Sequence, residues 1–172
     1  MKYMLLILFT VCSQMLAEDK IFRCNLDDRT RILVFQSGKY YAAYDTHKGS
    51  FWKYWKSQKP NEGIKFEGAV YDGRHGPQPS SLGSIIVEST EKNVWRLGTN
   101  QAKYSSYSPV RKNFTCTILR PDKSQIKIVE SPQFTSDKLI RSISVSGLNP
   151  GESITQGSIK ISQNGQTQVE VK

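Results

Sequence analysis

Few residues in this chain combine types and spacing that could do chemistry. His47 and His75 are the only imidazoles, with Asp45 two residues before the first and Asp72 three before the second. Two imidazoles facing one phosphate, helped by a lysine, could cleave RNA by acid–base exchange, which would make the chain a small hydrolase. No second signal backs that chemistry. The sequence has no His-Glu-x-x-His, Gly-rich phosphate loop, Gly-x-Ser-x-Gly or Cys-x-x-Cys. A zinc site would need both histidines and nearby carboxylates. The expectation is a protein that is not an enzyme and has neither cofactor nor metal site.

The densest cluster is KGSFWKYWKSQKP, Lys48 to Pro60, with four aromatic side chains and four lysines. Read as a strand it separates badly, because each face mixes aromatics with a lysine. Read as a helix from Phe51 to Gln58, it puts Phe51, Tyr54 and Trp55 at i, i+3 and i+4, with Ser50 as N-cap and Lys59-Pro60 as the stop. That helix would plug the core with three rings and leave Trp52 outside, beside Lys53, Lys56 and Lys59. Such an aromatic–cationic patch stacks on sugar rings or bases and holds sulfate or phosphate as point charges. The loop YDGRHGPQPSSLG, Tyr71 to Gly83, adds Arg74 and His75 as weaker ligand-binding candidates.

The chain begins MKYMLLILFTVCSQMLAED: a basic residue, an apolar run from Met4 to Cys12, then Ala17 before two acids. This pattern predicts a signal peptide over residues 1–17 and a secreted domain over 18–172. The apolar run is too short to span a bilayer, which takes ~20 residues, so no transmembrane anchor is expected. Losing Lys2 lowers the net charge from +9 to about +8. The excess favours an anionic polysaccharide, an acidic protein or an anionic membrane surface as partner.

Cys24 and Cys116 remain after the leader, and in an oxidising compartment they are expected to form one disulfide. Closing a loop of about 90 residues would stabilise the fold by ~4–5 kcal/mol in the chain-entropy treatment. Asn113-Phe-Thr115 is a glycosylation acceptor sequence.

What must position these groups is β structure. Short β-branched and aromatic runs are divided by Gly, Pro, Asn and Ser. In RILVFQSGKYYAAYD, a three-residue loop, Gln36-Ser37-Gly38, would pair Val34 with Tyr40 and make a central hairpin, apolar on both faces. In SIKISQNGQTQVEVK, a loop of Gln163-Asn164-Gly165 would pair Ile159 with Val169. Further strands are expected at Ile64–Tyr71, Ser84–Ser89, Asn93–Leu97, Phe114–Leu119, Gln125–Val129 and Leu139–Val145. The fold class expected is all-β: one antiparallel sandwich or barrel-like domain with one short helix, stapled by one disulfide. An immunoglobulin domain is disfavoured by the long cysteine separation and the lack of a Trp soon after Cys24. Residues 130–172, poor in aromatics, read as a separate β subunit or as added strands. As a barrel, the fold could enclose a small apolar ligand and act as an extracellular carrier.

Overall fold

The computed structural model describes residues 19–66, 78–89, 93–135 and 138–171. The expected leader and the positions of Arg74 and His75 lie outside the described residues. The architecture is all-β, and the described residues contain no helix.

One antiparallel sheet has the order β1(Lys20–Leu26), β2(Arg29–Ser37), β3(Tyr40–Asp45), β4(Ser50–Lys56), β7(Ser84–Glu88). A second has the order β10(Lys103–Ser108), β11(Asn113–Leu119), β12(Gln125–Thr135), β13(Lys138–Ser146), β16(Gly165–Val171). The inner face of the first carries Leu33, Phe35, Ala42, Tyr44, Phe51 and Tyr54. It shares one core with Phe114, Ile118, Ile126, Ile128, Leu139 and Ile143 of the second. Tyr44 and Phe114 meet across the gap with ring centroids 4.3 Å apart. Both sheets keep open edges, so neither closes into a barrel. A smaller sheet of β15(Ile159–Ile161), β14(Ile154–Gln156), β8(Arg96–Leu97) and β9(Asn100–Gln101) packs on the same core with Ile154 and Ile161. Residues after 130 therefore supply strands to the common sheets and core.

Inside the core sits an ion pair. Glu130 and Arg141 both point inward from β12 and β13, at 0% and 3% exposure. Arg141 Nε donates to Glu130 Oε2 at 2.8 Å and Nη2 to Oε1 at 2.8 Å. Trp95 Nε1 donates to the same carboxylate at 2.6 Å, and Gln156 accepts from Arg141. Burial opposes the charge on Arg141, but Glu130 outweighs it and holds the guanidinium's pKa up. The Tyr44 hydroxyl lies against the pair without a hydrogen bond of standard geometry among the described residues.

Within the Lys48–Pro60 segment, Ser50–Lys56 forms strand β4, where a helix from Phe51 to Gln58 was expected. A bulge explains why simple alternation misled. Ala43 pairs with Lys53 but Tyr44 with Phe51, so Trp52 is the extra residue. Phe51 and Tyr54 then face the main core, while Trp52 and Trp55 face the other side. That side carries a second core of Leu26, Ile32, Val34, Tyr41, Ala43 and the two tryptophans. With both faces covered, the strand has no wet face and its lysine must be partnered.

The cover comes from residues 61–66 and 78–82, including the short pair β5(Ile64–Lys65) and β6(Ser80–Ser81). Gly63 N donates to Tyr41 Oη at 2.9 Å, and Trp55 Nε1 donates to Gly63 O at 2.8 Å. Asp27 fastens the other end. It accepts from Lys53 Nζ at 2.7 Å, Ser81 N at 2.8 Å and Ser81 Oγ at 2.7 Å. Asp27 and Asp28 form the β1–β2 turn at φ 47° and 61°, a conformation that short polar side chains tolerate. Burial alone would raise the Asp27 pKa, but Lys53 and Ser81 outweigh it and hold the carboxyl below its ordinary range. Its stabilisation is thus present above the unfolded value of about 3.9 and lost as pH falls through the lower folded one. The urea midpoints of the protein and of Asp27→Asn should therefore differ at pH 6 and converge below about pH 4. A gap that stays constant down to pH 2 would refute the fastening.

Two further expectations are corrected. Cys24 and Cys116 form no disulfide. Cys24 packs with the second core and Cys116 lies in the main one, so the first sheet stands between them. Both expected hairpins also change. Ser37 pairs with Tyr40 and Val34 with Ala43, a two-residue Gly38-Lys39 turn instead of three residues. The hairpin's two apolar faces are observed, and for that reason pattern alone did not discriminate registers. At the C-terminus, Ile159–Ile161 pairs with Ile154–Gln156, while Gly165–Val171 pairs with β13. The chain crosses between sheets at Asn164, whose side chain bonds both Leu148 N and Leu148 O.

Candidate functional site

The structure does not assemble the expected aromatic–lysine patch. Trp52 and Lys53 are each 3% exposed. Lys53 is held by Asp27 at 2.7 Å and Glu88 at 3.5 Å, and Trp52 Nε1 donates to Glu88 at 3.1 Å. Lys56 lies over the Tyr40 ring at 5.0 Å. Lys59 alone is fully at the surface, 3.8 Å from Glu62, a contact of small energetic worth. His47 is exposed, with Nε2 3.2 Å from Thr30 Oγ1 and its backbone N bonded to Asp45. Among the described residues, no group of His, Cys, Asp or Glu could hold a metal ion, and no helix is long and apolar enough to cross a membrane.

Exposed positive charge lies elsewhere, on and just beyond the edge strands β1 and β10, whose segments meet at two side-chain contacts. Arg23 of β1 lies over the Tyr104 ring of β10 at 6.0 Å. Gly49, in the β3–β4 turn, sits so close that a Cβ would come 3.1 Å from Tyr104 N and 3.4 Å from the Lys103 carbonyl carbon. At the other end, Lys112, just past β10, bonds Asp19, just before β1. These segments carry five exposed cations, Lys20, Arg23, Lys103, Arg111 and Lys112; Lys20 lies on the opposite face of β1 from Arg23. Local structure explains the exposure. Tyr104 and Tyr107 turn inward against the core, which leaves Lys103 and the serines outside. The β10–β11 turn then projects Val110, 92% exposed, with Arg111 and Lys112 behind it. Asp19 is the carboxylate bonded to Lys112; burial would raise its pKa, but Lys112 and Ser37 hold it down.

Beside Asp19 and Lys112 lies an open cleft of about 360 Å³. Ile21 and Phe35 line it from the first sheet, Pro132 and Phe134 from the second, and Lys20, Arg111 and Lys112 stand at its rim. Asn113, the glycosylation acceptor, is half-buried at the start of β11, opposite Ser108.

Comparison with known proteins returned nothing: no family model, no curated protein and no solved structure matches the chain. Sequence reasoning missed the contacts of Arg23 with Tyr104 and of Asp19 with Lys112 because each pair stands about 80 to 90 residues apart along the chain. The one local signal was Pro109-Val-Arg-Lys112, an exposed-looking turn with paired cations.

Proposed function

We propose that this protein is an exported, non-catalytic binding protein that holds a sulfated polysaccharide along the β1–β10 edge. The observation that carries the reading is that Lys20, Arg23, Lys103, Arg111 and Lys112 are all exposed on β1, β10 and the turn after β10, with Asp19 the one carboxylate bonded to them among the described residues. Cations spread over two strand edges and a turn suit a flexible linear polyanion, which can bend around an edge, better than they suit a flat membrane. Export is supported by the basic, apolar start of the chain. Two reduced thiols are compatible with it: burial, then Asp27, pushes the Cys24 pKa up to about 11, and burial keeps Cys116 well above its ordinary value. Little thiolate then exists to oxidise. An apolar carrier is less well supported, since the space between the sheets is filled by side chains and the cleft is open.

Heparin chromatography tests the reading. The protein should elute well above 0.15 M salt, roughly physiological ionic strength. Reversing Arg23, Lys103 and Arg111 to Glu should move elution close to that of neutral controls. Reversing Lys123, Lys127 and Lys160, exposed elsewhere, should cost much less. Equal losses from the two sets, or capture by anionic vesicles without heparin retention, would overturn the proposal.

A further inference from the structure

The cleft beside Asp19 and Lys112 differs from the strand edges around it. Its apolar floor is small: Ile21 and Phe134 are half-buried, Phe35 and Pro132 are buried, and Gln36, Ser37, Ser131 and Gln133 line the rest. Its rim is cationic, with Lys20, Arg111 and Lys112. A polyanion lying along the edge has no use for such a floor. A lipid tail has no use for such a rim and would not fit, because about 360 Å³ is near the lower end of small-molecule sites, roughly 300–1,000 Å³.

We propose that this cleft binds a small amphipathic organic anion, one ring or short acyl body bearing a sulfate, phosphate or carboxylate group. The body packs in the open cleft against Ile21 and Phe134. The anionic group meets Arg111 and Lys112 at the rim. The protein already keeps a carboxylate there: Asp19 bonds Lys112 and lines the same cleft. Asp19 holds the place that an incoming anion takes, so it competes with the ligand. Removing its charge should strengthen binding, whereas removing a rim cation should weaken it. A site made only of excess positive charge would not need the apolar floor, and a greasy crevice would not respond to Asp19.

The experiment is an amide chemical-shift titration of the mature chain with 4-nitrophenyl sulfate, inorganic sulfate and 4-nitrophenol. Only 4-nitrophenyl sulfate should give saturable shifts at Gln36, Ser37 and Gln133, which border the cleft. Arg111→Ala should weaken it about tenfold, the scale of one charge-assisted hydrogen bond. Asp19→Asn should tighten it severalfold. Phe134→Ala should weaken it with the amides of Arg23 and Lys103 unmoved. Equal affinity for inorganic sulfate or for 4-nitrophenol, or weaker binding by Asp19→Asn, would overturn the proposal. Because heparin retention is scored on Arg23, Lys103 and Arg111 together, either proposal can fail while the other stands.

Discussion

Replacing Glu130 with Met is expected to destabilise the protein by about 3–5 kcal/mol, the cost of leaving a buried charge without its partner. Arg141 would keep its guanidinium in the core, with Gln156 as its remaining acceptor, and Trp95 Nε1 would lose its acceptor. For a domain of this size each kcal/mol lowers Tm by roughly 2–4 °C, so the melting point should fall by about 6–20 °C. The double variant Glu130→Met, Arg141→Met removes both charges. It should recover most of the loss, because apolar replacement of a whole buried pair is often neutral. Glu130→Gln, which keeps an acceptor for Trp95, should lie between. Thermal and urea unfolding of the series decide the matter. A single variant no less stable than the double would show that the pair does not organise the core.

The second large effect is expected from the smallest change. Gly63→Ala would place a Cβ 2.1, 2.4 and 2.5 Å from three ring atoms of Tyr41. Tyr41 has little room to yield. It stacks on Trp55 with centroids 5.1 Å apart, and its hydroxyl accepts from Gly63 N. Overpacking of this kind costs about 1–3 kcal/mol. The loss should be local first: tryptophan emission from Trp52 and Trp55 should shift to the red, and residues 61–66 and 78–82 should become protease-sensitive below the global Tm. Gly38→Ala is the control. It also strains the backbone, at φ 56°, but its Cβ would meet no atom within 4 Å. If both variants behaved alike, the close packing of Gly63 on Tyr41 would not be what holds the second layer.

The same elements show how much could be read before the fold was known. Strands β11, β12 and β13 alternate apolar and polar residues and were expected within a few residues of where they lie, apart from the length of β12. The doubly apolar character of β2 and β3 was also legible, and it marked a central hairpin. It did not mark the register, since a strand with no wet face tolerates a slip that a half-exposed strand forbids. The β4 segment failed for a related reason. Its lysine looked exposed because no nearby residue answered its charge; Asp27 and Glu88 answer it from about 26 and 35 residues away. The C-terminal hairpin looked local, yet its two halves belong to different sheets, and the side chain of Asn164 holds the crossing.

The candidate site belongs wholly to this second kind. Net positive charge was visible in the composition, but not which cations share an edge, and the segment richest in lysine and aromatics proved to be core. Periodicity is a property of neighbours in the chain, so the order of residues alone was enough to specify pleated segments and an all-β class. Pairing across the bulge, the separation of Cys24 from Cys116 and the contacts of Arg23 with Tyr104 and Asp19 with Lys112 depend on contacts between distant segments. Those contacts form only when competing burials are settled together, and for that reason the folded molecule alone decided them.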